Sequence, residues 1–375
     1  MSAVAARPTS ALLPRLGRAV AAPLFALVVS FGLGGVLMLA LGHNPFEVYG
    51  TLIRGSLDGW PNLSVTLQLT TPLIFTGLAV AVAFRSGIWN IGVEGQMLMG
   101  ALASGIVGYA APLPDWAMVP ACVAAAAAGG AAWAAIPAML RAFIGVNELV
   151  LCLMLNPIAL LLTGWVSARV LKAPGPTNKL PDIVDAAHLS TFTLFSQLNS
   201  GIFLALAACG LIAVFNIGTV RGFEWKLIGL NPRFANYGGI RVRRNVIGVM
   251  LLSGAVAGLA GAEQVLGVNG AFYDNFSPGY GFDGIAVAML ANSNPLGVLV
   301  SALLFGALNS GSSVLQMELG ISKYLVQVLQ FIVVLILAAR FTVPWRGFRK
   351  PLVATAPAVT LPATLPVEPG QTTEA

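Results

Sequence analysis

From Leu63 to Phe84 the chain carries no charged side chain, and uncharged, largely apolar stretches of this kind recur along most of its length. Roughly 20 apolar residues in a helix cross the hydrocarbon of a bilayer. Backbone in hydrocarbon must satisfy its own N–H and C=O groups, so repeated runs of this length dictate an all-α, polytopic bundle of membrane-spanning helices. Composition agrees, with 57% of the 375 residues hydrophobic and 9% charged, against roughly 25% charged in soluble domains. The mean hydropathy is +0.85. A net charge of +6 would suit a nucleic-acid binder in a soluble chain, but here the basic residues flank apolar runs, where they set topology. No nucleic-acid partner is expected.

About ten spans are expected, at 20–41, 63–84, 95–112, 116–140, 148–170, 201–219, 245–267, 272–291, 295–313 and 322–340. A cytoplasmic N-terminus places all but five of the 20 basic residues inside, leaving Arg54, Arg169, Lys172, Lys179 and Lys323 outside. Such asymmetry puts both termini in the cytoplasm. The run at 20–41 follows Arg15 and Arg18 and exceeds the roughly 7–15-residue core of a cleaved signal, so it reads as an uncleaved first span. Residues 1–19 then form a cytoplasmic segment, 20–340 the transmembrane domain, and 341–375, rich in Pro, Thr and Ala, a disordered tail. Cys122, Cys152 and Cys209 fall singly in apolar segments, without disulfide or zinc-ligand spacing, and read as packing residues.

Polar residues inside this apolar background are the informative ones. Asn90 to Ala101, NIGVEGQMLMGA, sets Asn90, Gly92, Glu94, Gly95 and Gln96 directly against two apolar runs. Such groups must be buried against protein or line a watery path, because each costs several kcal/mol in lipid. The competing reading is a helix-connecting loop capped by Asn90 and Glu94. Asn269 to Asp283, NGAFYDNFSPGYGFD, is too polar to face lipid. It reads either as an interrupted, cavity-lining segment or as an extracytoplasmic loop before a short helix. GLAVA at Gly77 is echoed by GIAVA at Gly284, and GALASG at Gly100 by GALNSG at Gly306. These echoes point to a parallel internal repeat of spans 1–4 as spans 7–10.

The longest cytoplasmic connection, 220–244, mixes arginines with Phe223, Trp225, Leu227, Ile228, Phe234 and Tyr237, a composition suited to a short amphipathic helix. Asn231 followed by Pro232 is a helix start, and Gly238 with Gly239 a stop. The segment reads as a docking element for a cytoplasmic partner, or alternatively as a helix resting on the membrane surface.

At this point the residues resemble a known family. TGLAVAVAFRSGIWNIGVEGQMLMGALAS from Thr76 is similar to the signature region of permease subunits in bacterial ATP-binding-cassette importers for simple sugars and nucleosides, within the branched-chain amino acid and sugar type of permease. That group works with basic-membrane-protein-type binding lipoproteins. NELVLCLMLNPIALLL from Asn147, GLNPRFANYGGIRVRRN from Gly229, SGAVAGLAG from Ser253 and GFDGIAVAMLANSNPLG from Gly281 extend the likeness over 76–340. The resemblance implies half of a pore in the bacterial cytoplasmic membrane, a second permease subunit, an extracytoplasmic binding lipoprotein, and a separate ATPase subunit that uses the ATP. It also implies a coupling loop at Asn231, Arg233, Phe234, Ala235, Tyr237 and Gly239. Such loops often carry Glu-Ala-Ala before a glycine; here Gly239 matches the glycine and the glutamate is absent.

None of the five lysines follows a glycine, so the chain lacks the Gly-Lys ending of a phosphate loop and no cofactor is expected in it. An ion-coupled secondary transporter remains an alternative, with Glu148, Glu263 and Asp283 as its ionisable candidates. An enzyme is not expected, because His43 and His188 fall in loops and no HExxH motif occurs. Gln96, Asn156, Glu263, Gln264 and Asn292 are the candidate cargo-facing residues, since carboxamides both donate and accept hydrogen bonds. Helix–helix hydrogen bonding is the competing role for each. Gly254 and Gly258 read as a close-packing GxxxG pair.

Overall fold

The computed structural model describes residues 28–342. The expected segment 1–19, the start of the 20–41 span and the tail beyond 342 lie outside these residues. In chain order the helices are α1 (Val28–Ala40), α2 (Pro45–Leu57), α3 (Gly59–Arg85), α4 (Val93–Ala110), α5 (Asp115–Met139), α6 (Glu148–Trp165), α7 (Gly201–Gly218), α8 (Val220–Leu230), α9 (Pro232–Tyr237), α10 (Val242–Glu263), α11 (Tyr280–Leu290), α12 (Pro295–Leu319) and α13 (Tyr324–Thr342). Three π-helical turns, Leu140–Ile144, Val166–Val170 and Gln264–Asn269, prolong α5, α6 and α10. Strand-like pairing among the described residues is confined to two isolated bridges, Lys179 with Tyr273 and Thr191 with Asn199.

Among the described residues six helices are long and apolar enough to cross a membrane: α3, α5, α6, α7, α10 and α12. A seventh span results if α1 and α2, bent by 120° at their junction, count as one. The bend falls at the end of the expected first span, and α2 occupies residues expected to be loop. Gly42, at φ +84°, turns the chain there, and Asn44 caps α2 by accepting from Phe46 N at 3.1 Å. Helices α4, α11 and α13 lie where three further spans are expected. Of these, α4 carries Glu94 and Gln96 in its first turn and α11 has only 11 residues.

Burial separates centre from periphery. The apolar windows of α3 and α10 are 78% and 61% buried, whereas those of α5, α6 and α7 are only 22–28% buried. Helices apolar all round belong in the core of a bundle or in lipid, so α3 and α10 form the axis, while α5 presents Trp116, α6 Leu161 and Trp165, and α7 Leu211 and Ile217 outward. Buried α3 tolerates several threonines because their hydroxyls bond its own backbone: Thr70 donates to Thr66 O at 2.7 Å, Thr71 to Leu67 O at 2.9 Å and Thr76 to Pro72 O at 3.0 Å.

Glycines join α4, α5 and α10. A Cβ on Gly258 would run into Ala126 O, one on Gly130 into Gly254 O, one on Gly100 into Gly258 Cα, and one on Gly261 into Met97 O. The expected GxxxG pair is thus part of a three-helix seam in which backbones touch directly.

The connection 171–200 lies across the ends of α6 and α10. Leu189 N donates to Leu266 O at 2.9 Å, Ile183 N to Gly270 O at 3.0 Å, Leu180 N to Phe272 O at 2.9 Å, and Asp274 N to Asn178 O at 3.0 Å. These bonds satisfy the irregular backbone after α10, where Ala271 and Phe272 are fully buried. The polar segment 269–283 is therefore a loop that runs into a short helix, and protein covers part of it.

Gly258→Leu should abolish folding. Overpacking costs about 1–3 kcal/mol where neighbours can yield, and here the obstacle is backbone. The monodisperse peak in size-exclusion chromatography should disappear, whereas Gly210→Leu, with nothing within 4 Å of its Cβ position, should keep it.

Candidate functional site

After Arg85 the chain does not hang below α3 but turns back beside it. Ile88 N donates to Ala83 O at 3.1 Å. Ser253 Oγ, on α10, bridges Asn90 to α3 by donating to Ala79 O at 2.6 Å and accepting from Asn90 Nδ2 at 2.8 Å. Asn90 therefore sits level with Ala79, well before the end of α3. It is fully buried and its carboxamide is saturated: Nδ2 also donates to Gln96 Oε1 at 2.9 Å, while Oδ1 accepts from Gln96 Nε2 and from Gly92 N, both at 3.0 Å. Cys152 Sγ lies 3.6 Å from the same oxygen.

Asn156, on α6, clamps the start of α4. Its Oδ1 accepts from Gly95 N at 3.0 Å and its Nδ2 donates to Ile91 O at 2.9 Å. A Cβ on Gly95 would crowd Asn156 Oδ1 and Trp133 Nε1. Glu94 reaches the other way and accepts from Gly281 N at 2.6 Å in the first turn of α11. A carboxylate at a helix N-terminus is favourable, so Glu94 ties the starts of α4 and α11 together. Gly92 occupies the N-cap position of α4, and neither Asn90 nor Glu94 caps that helix by side chain. Of the two readings of this stretch, the bonds favour a segment buried against protein over a loop capped by Asn90 and Glu94.

Of the candidate cargo-facing residues, Gln96 and Asn156 are thus engaged in holding this segment. Glu263 and Gln264 lie together at the other end of α10, where Glu263 accepts from Asn199 Nδ2 at 3.0 Å and from Gln264 Nε2 at 2.8 Å. Asn199 also accepts from Gly201 N at 2.9 Å, so this buried carboxylate pins the start of α7 to α10. Asn292 is apart from all of these. It is exposed in the turn between α11 and α12, where it and Ser293 adopt left-handed backbone with φ of 51° and 56°. There it borders a cavity of about 420 Å³ with Phe84, Arg85 and Trp89.

The connection after α7 forms two helices where one was expected. Thr219 Oγ1 caps α8 by accepting from Gly222 N at 3.0 Å. Trp225 is buried and donates from Nε1 to Asn245 Oδ1 at 2.9 Å, locking α8 to the start of α10. Asn231 caps α9, accepting from Arg233 N at 3.0 Å and Phe234 N at 3.1 Å, and Gly239 with φ +82° ends it. Ala235 faces the protein, while Phe234 and Tyr237 are 65% and 90% exposed. Gly229, before α9, packs against Arg85 O and Gly87 without an intervening side chain. Beside this contact lies a cavity of about 480 Å³ lined by Ser86, Ile88, Arg141, Gly229, Pro232 and Arg243 among others. Arg141 pairs with Glu148 at its edge.

Ser253, Asn199 and Gly281 complete these constellations and were not singled out in the sequence. Ser253 and Gly281 each open a motif noted there, but only the fold brings them to Asn90 and Glu94. Asn90→Leu should destabilise the protein, since it strands Gln96 and Gly92 N–H, and a stranded buried group costs about 1–3 kcal/mol. Thermal unfolding in detergent, followed by loss of the monodisperse peak, should begin several degrees lower than in the native protein.

Residues 62–338 match the family described as branched-chain amino acid transport system / permease component. The chain is 36% identical over 330 residues to the guanosine ABC transporter permease protein NupP of Bacillus subtilis, covering 86% of this chain and 93% of that one. It is 34% identical over 330 residues to the glucose ABC transporter permease protein TsgB13 of Haloferax volcanii, covering 84% and 86% of the two chains. It is also 34% identical over 341 residues to the nucleoside ABC transporter permease protein NupB of Lactococcus lactis, covering 87% and 92%. A bundle of apolar helices, a buried amide knot and a match running from α3 into α13 make this integral membrane protein a member of the branched-chain amino acid transport system / permease component family.

Proposed function

We propose that the chain is a membrane-spanning permease subunit of an ATP-binding-cassette importer, forming half of a pore that carries a nucleoside or simple sugar across the bacterial cytoplasmic membrane. Agreement among three near-full-length relatives carries this reading, each named an ABC transporter permease, for guanosine, glucose or nucleosides. A separate ATPase drives the cycle, a binding lipoprotein delivers cargo, and a second permease completes the pore. The ten-span topology with cytoplasmic termini belongs to the same proposal. It places Arg85, Arg141 and α8–α9 inside and the 171–200 connection outside, in keeping with the basic-residue asymmetry. The parallel repeat is part of it too, pairing α3 with α11 and α4 with α12.

Docking of the ATPase falls to α9. Anchored inward by Ala235, it turns Phe234 and Tyr237 outward, and a few aromatics dominate most interfaces. The ion-coupled alternative loses two of its candidates to structural roles, since Glu148 pairs with Arg141 and Glu263 is held by two amides.

Two outcomes follow. Phe234→Asp combined with Tyr237→Asp should leave folding unchanged, because both side chains are exposed, yet reduce uptake at least 10-fold and separate the ATPase in co-purification. Unchanged uptake with the ATPase retained would remove the coupling role. In intact cells Leu194→Cys, in the 171–200 connection, should react with an impermeant thiol reagent, and Asn236→Cys only after permeabilisation. The reverse pattern would invert the topology.

A further inference from the structure

The cavity of about 480 Å³ beside Gly229 takes its walls from residues 86–88 after α3, the turn 141–145 that ends α5, the junction of α8 with α9, and the start of α10. Its polar lining side chains are Ser86, Arg141 and Arg243, and no carboxylate lines it. Arg243 is exposed and makes no ion pair among the described residues. Arg141 pairs with Glu148 through Nη1, and a guanidinium has donors beyond the one that such a pair takes. Arg85, immediately before Ser86, also makes no ion pair among the described residues, and its Nε is buried without a hydrogen-bond partner. A buried donor left alone is rare in a folded protein and calls for a partner. This end of the bundle thus carries positive charge that its own carboxylates do not neutralise.

The rest of the lining decides what kind of anion fits. Phe143 and Ile144 line the cavity and are also 67% and 70% exposed, so its wall runs out onto the surface of the bundle. That surface continues through Met139, Val150 and Met154, all exposed, on α5 and α6, whose apolar windows are only 22% buried and face lipid. An occupant that satisfies both parts joins an oxyanion to hydrocarbon. A free phosphate would meet the arginines and leave Phe143 and Ile144 uncovered, and a neutral solute would leave the arginines uncompensated. Guanidinium groups match phosphate oxygens in geometry as well as charge, and basic pockets between membrane helices accept anionic headgroups. We propose that this cavity binds the headgroup of an anionic phospholipid, with its phosphodiester at Arg141 and Arg243 and its acyl chains leaving past Phe143 and Ile144. The site goes beyond the transport reading and does not rest on it, since it needs only a chain embedded in lipid.

Native mass spectrometry of the full-length chain, purified in detergent and mixed with equal amounts of dioleoyl phosphatidylglycerol and dioleoyl phosphatidylcholine, tests the site directly. Phosphatidylglycerol should be retained at least 5-fold more than phosphatidylcholine. Arg243→Gln should lower that retention at least 5-fold while the chain stays monodisperse, because Arg243 is exposed. Arg221→Gln, on α8 and equally exposed but outside the cavity lining, should leave retention unchanged. Phe143→Ser combined with Ile144→Ser, both exposed, should lower it as well, and excess inorganic phosphate should not displace the lipid. Equal retention of the two lipids, or retention that survives Arg243→Gln, would overturn the site. An equal loss with Arg221→Gln would replace it with general attraction to a basic surface, and displacement by inorganic phosphate with no effect of the serine pair would replace it with a free-phosphate site. Co-purification of the ATPase and uptake report on the transport reading separately, so failure of either leaves the lipid result standing.

Discussion

The structure depends on backbones in direct contact where α4, α5 and α10 cross. In a membrane, lipid tails are as apolar as leucine, so helices associate through van der Waals packing and interhelical hydrogen bonds instead of through exclusion from water. Gly100, Gly130, Gly254, Gly258 and Gly261 supply that packing by removing every side chain from the crossing. Once α10 is seated there, Ser253 lies at Asn90 and Glu263 lies beneath Asn199. Ser253, in the middle of α10 beside Gly254, and Glu263, at its end, are thus both positioned by this seam.

Given that placement, the amide cluster at 90–96 has a clear physical purpose. A segment that turns back beside α3 carries buried non-helical backbone, and such backbone survives only where protein or water satisfies it. Asn90, Gln96, Asn156 and Ser253 supply the bonds; Asn90, Asn156 and Ser253 each take two or more partners, and Gln96 pairs doubly with Asn90. A carboxamide suits this task because it both donates and accepts, so it can stand in for a turn of helix. Polarity inside an apolar run therefore marked an architectural site here.

Much of this was legible in the sequence, and the misses have physical causes. Apolar runs located α3, α5, α6, α7, α10 and α12, because length and lipid solubility are read directly from composition. Asn231–Pro232 and Gly238–Gly239 marked α9 because caps and stops are local chemistry. Helix α2 was missed because Tyr49, Thr51 and Arg54 interrupt its apolar pattern, and its buried face is defined only by α12 and α3. For Gln96 and Asn156 the sequence left cargo contact and helix–helix hydrogen bonding open, because it shows that a carboxamide is buried without showing which neighbour bonds it. Asn309 and Gln330 went unnoticed for the converse reason: nothing in the sequence separates them from Gln316 and Gln327 on the same helices, and only the packing of α11, α12 and α13 brings them together.

The contact at Gly229 connects the two halves of the argument. On one side of α8 and α9 the backbone of Gly229 rests on Arg85 O and Gly87, so no side chain can yield between them. Beside that contact a cavity of about 480 Å³, lined by Gly87, Ile88, Gly229 and Pro232 among others, leaves space. Under the proposed coupling role, a partner that pushes on Phe234 and Tyr237 meets stiff resistance where Gly229 touches Arg85 O and Gly87, and little where the adjoining cavity lies. Displacement is then passed to residues 86–92, whose far end is fixed by Asn90 to α3 and α10 and by Asn156 to α6. Because packed cores shift between discrete arrangements instead of deforming smoothly, a segment held this tightly at one end and pressed at the other moves the starts of α4 and α11 together, with Glu94 as the link between them.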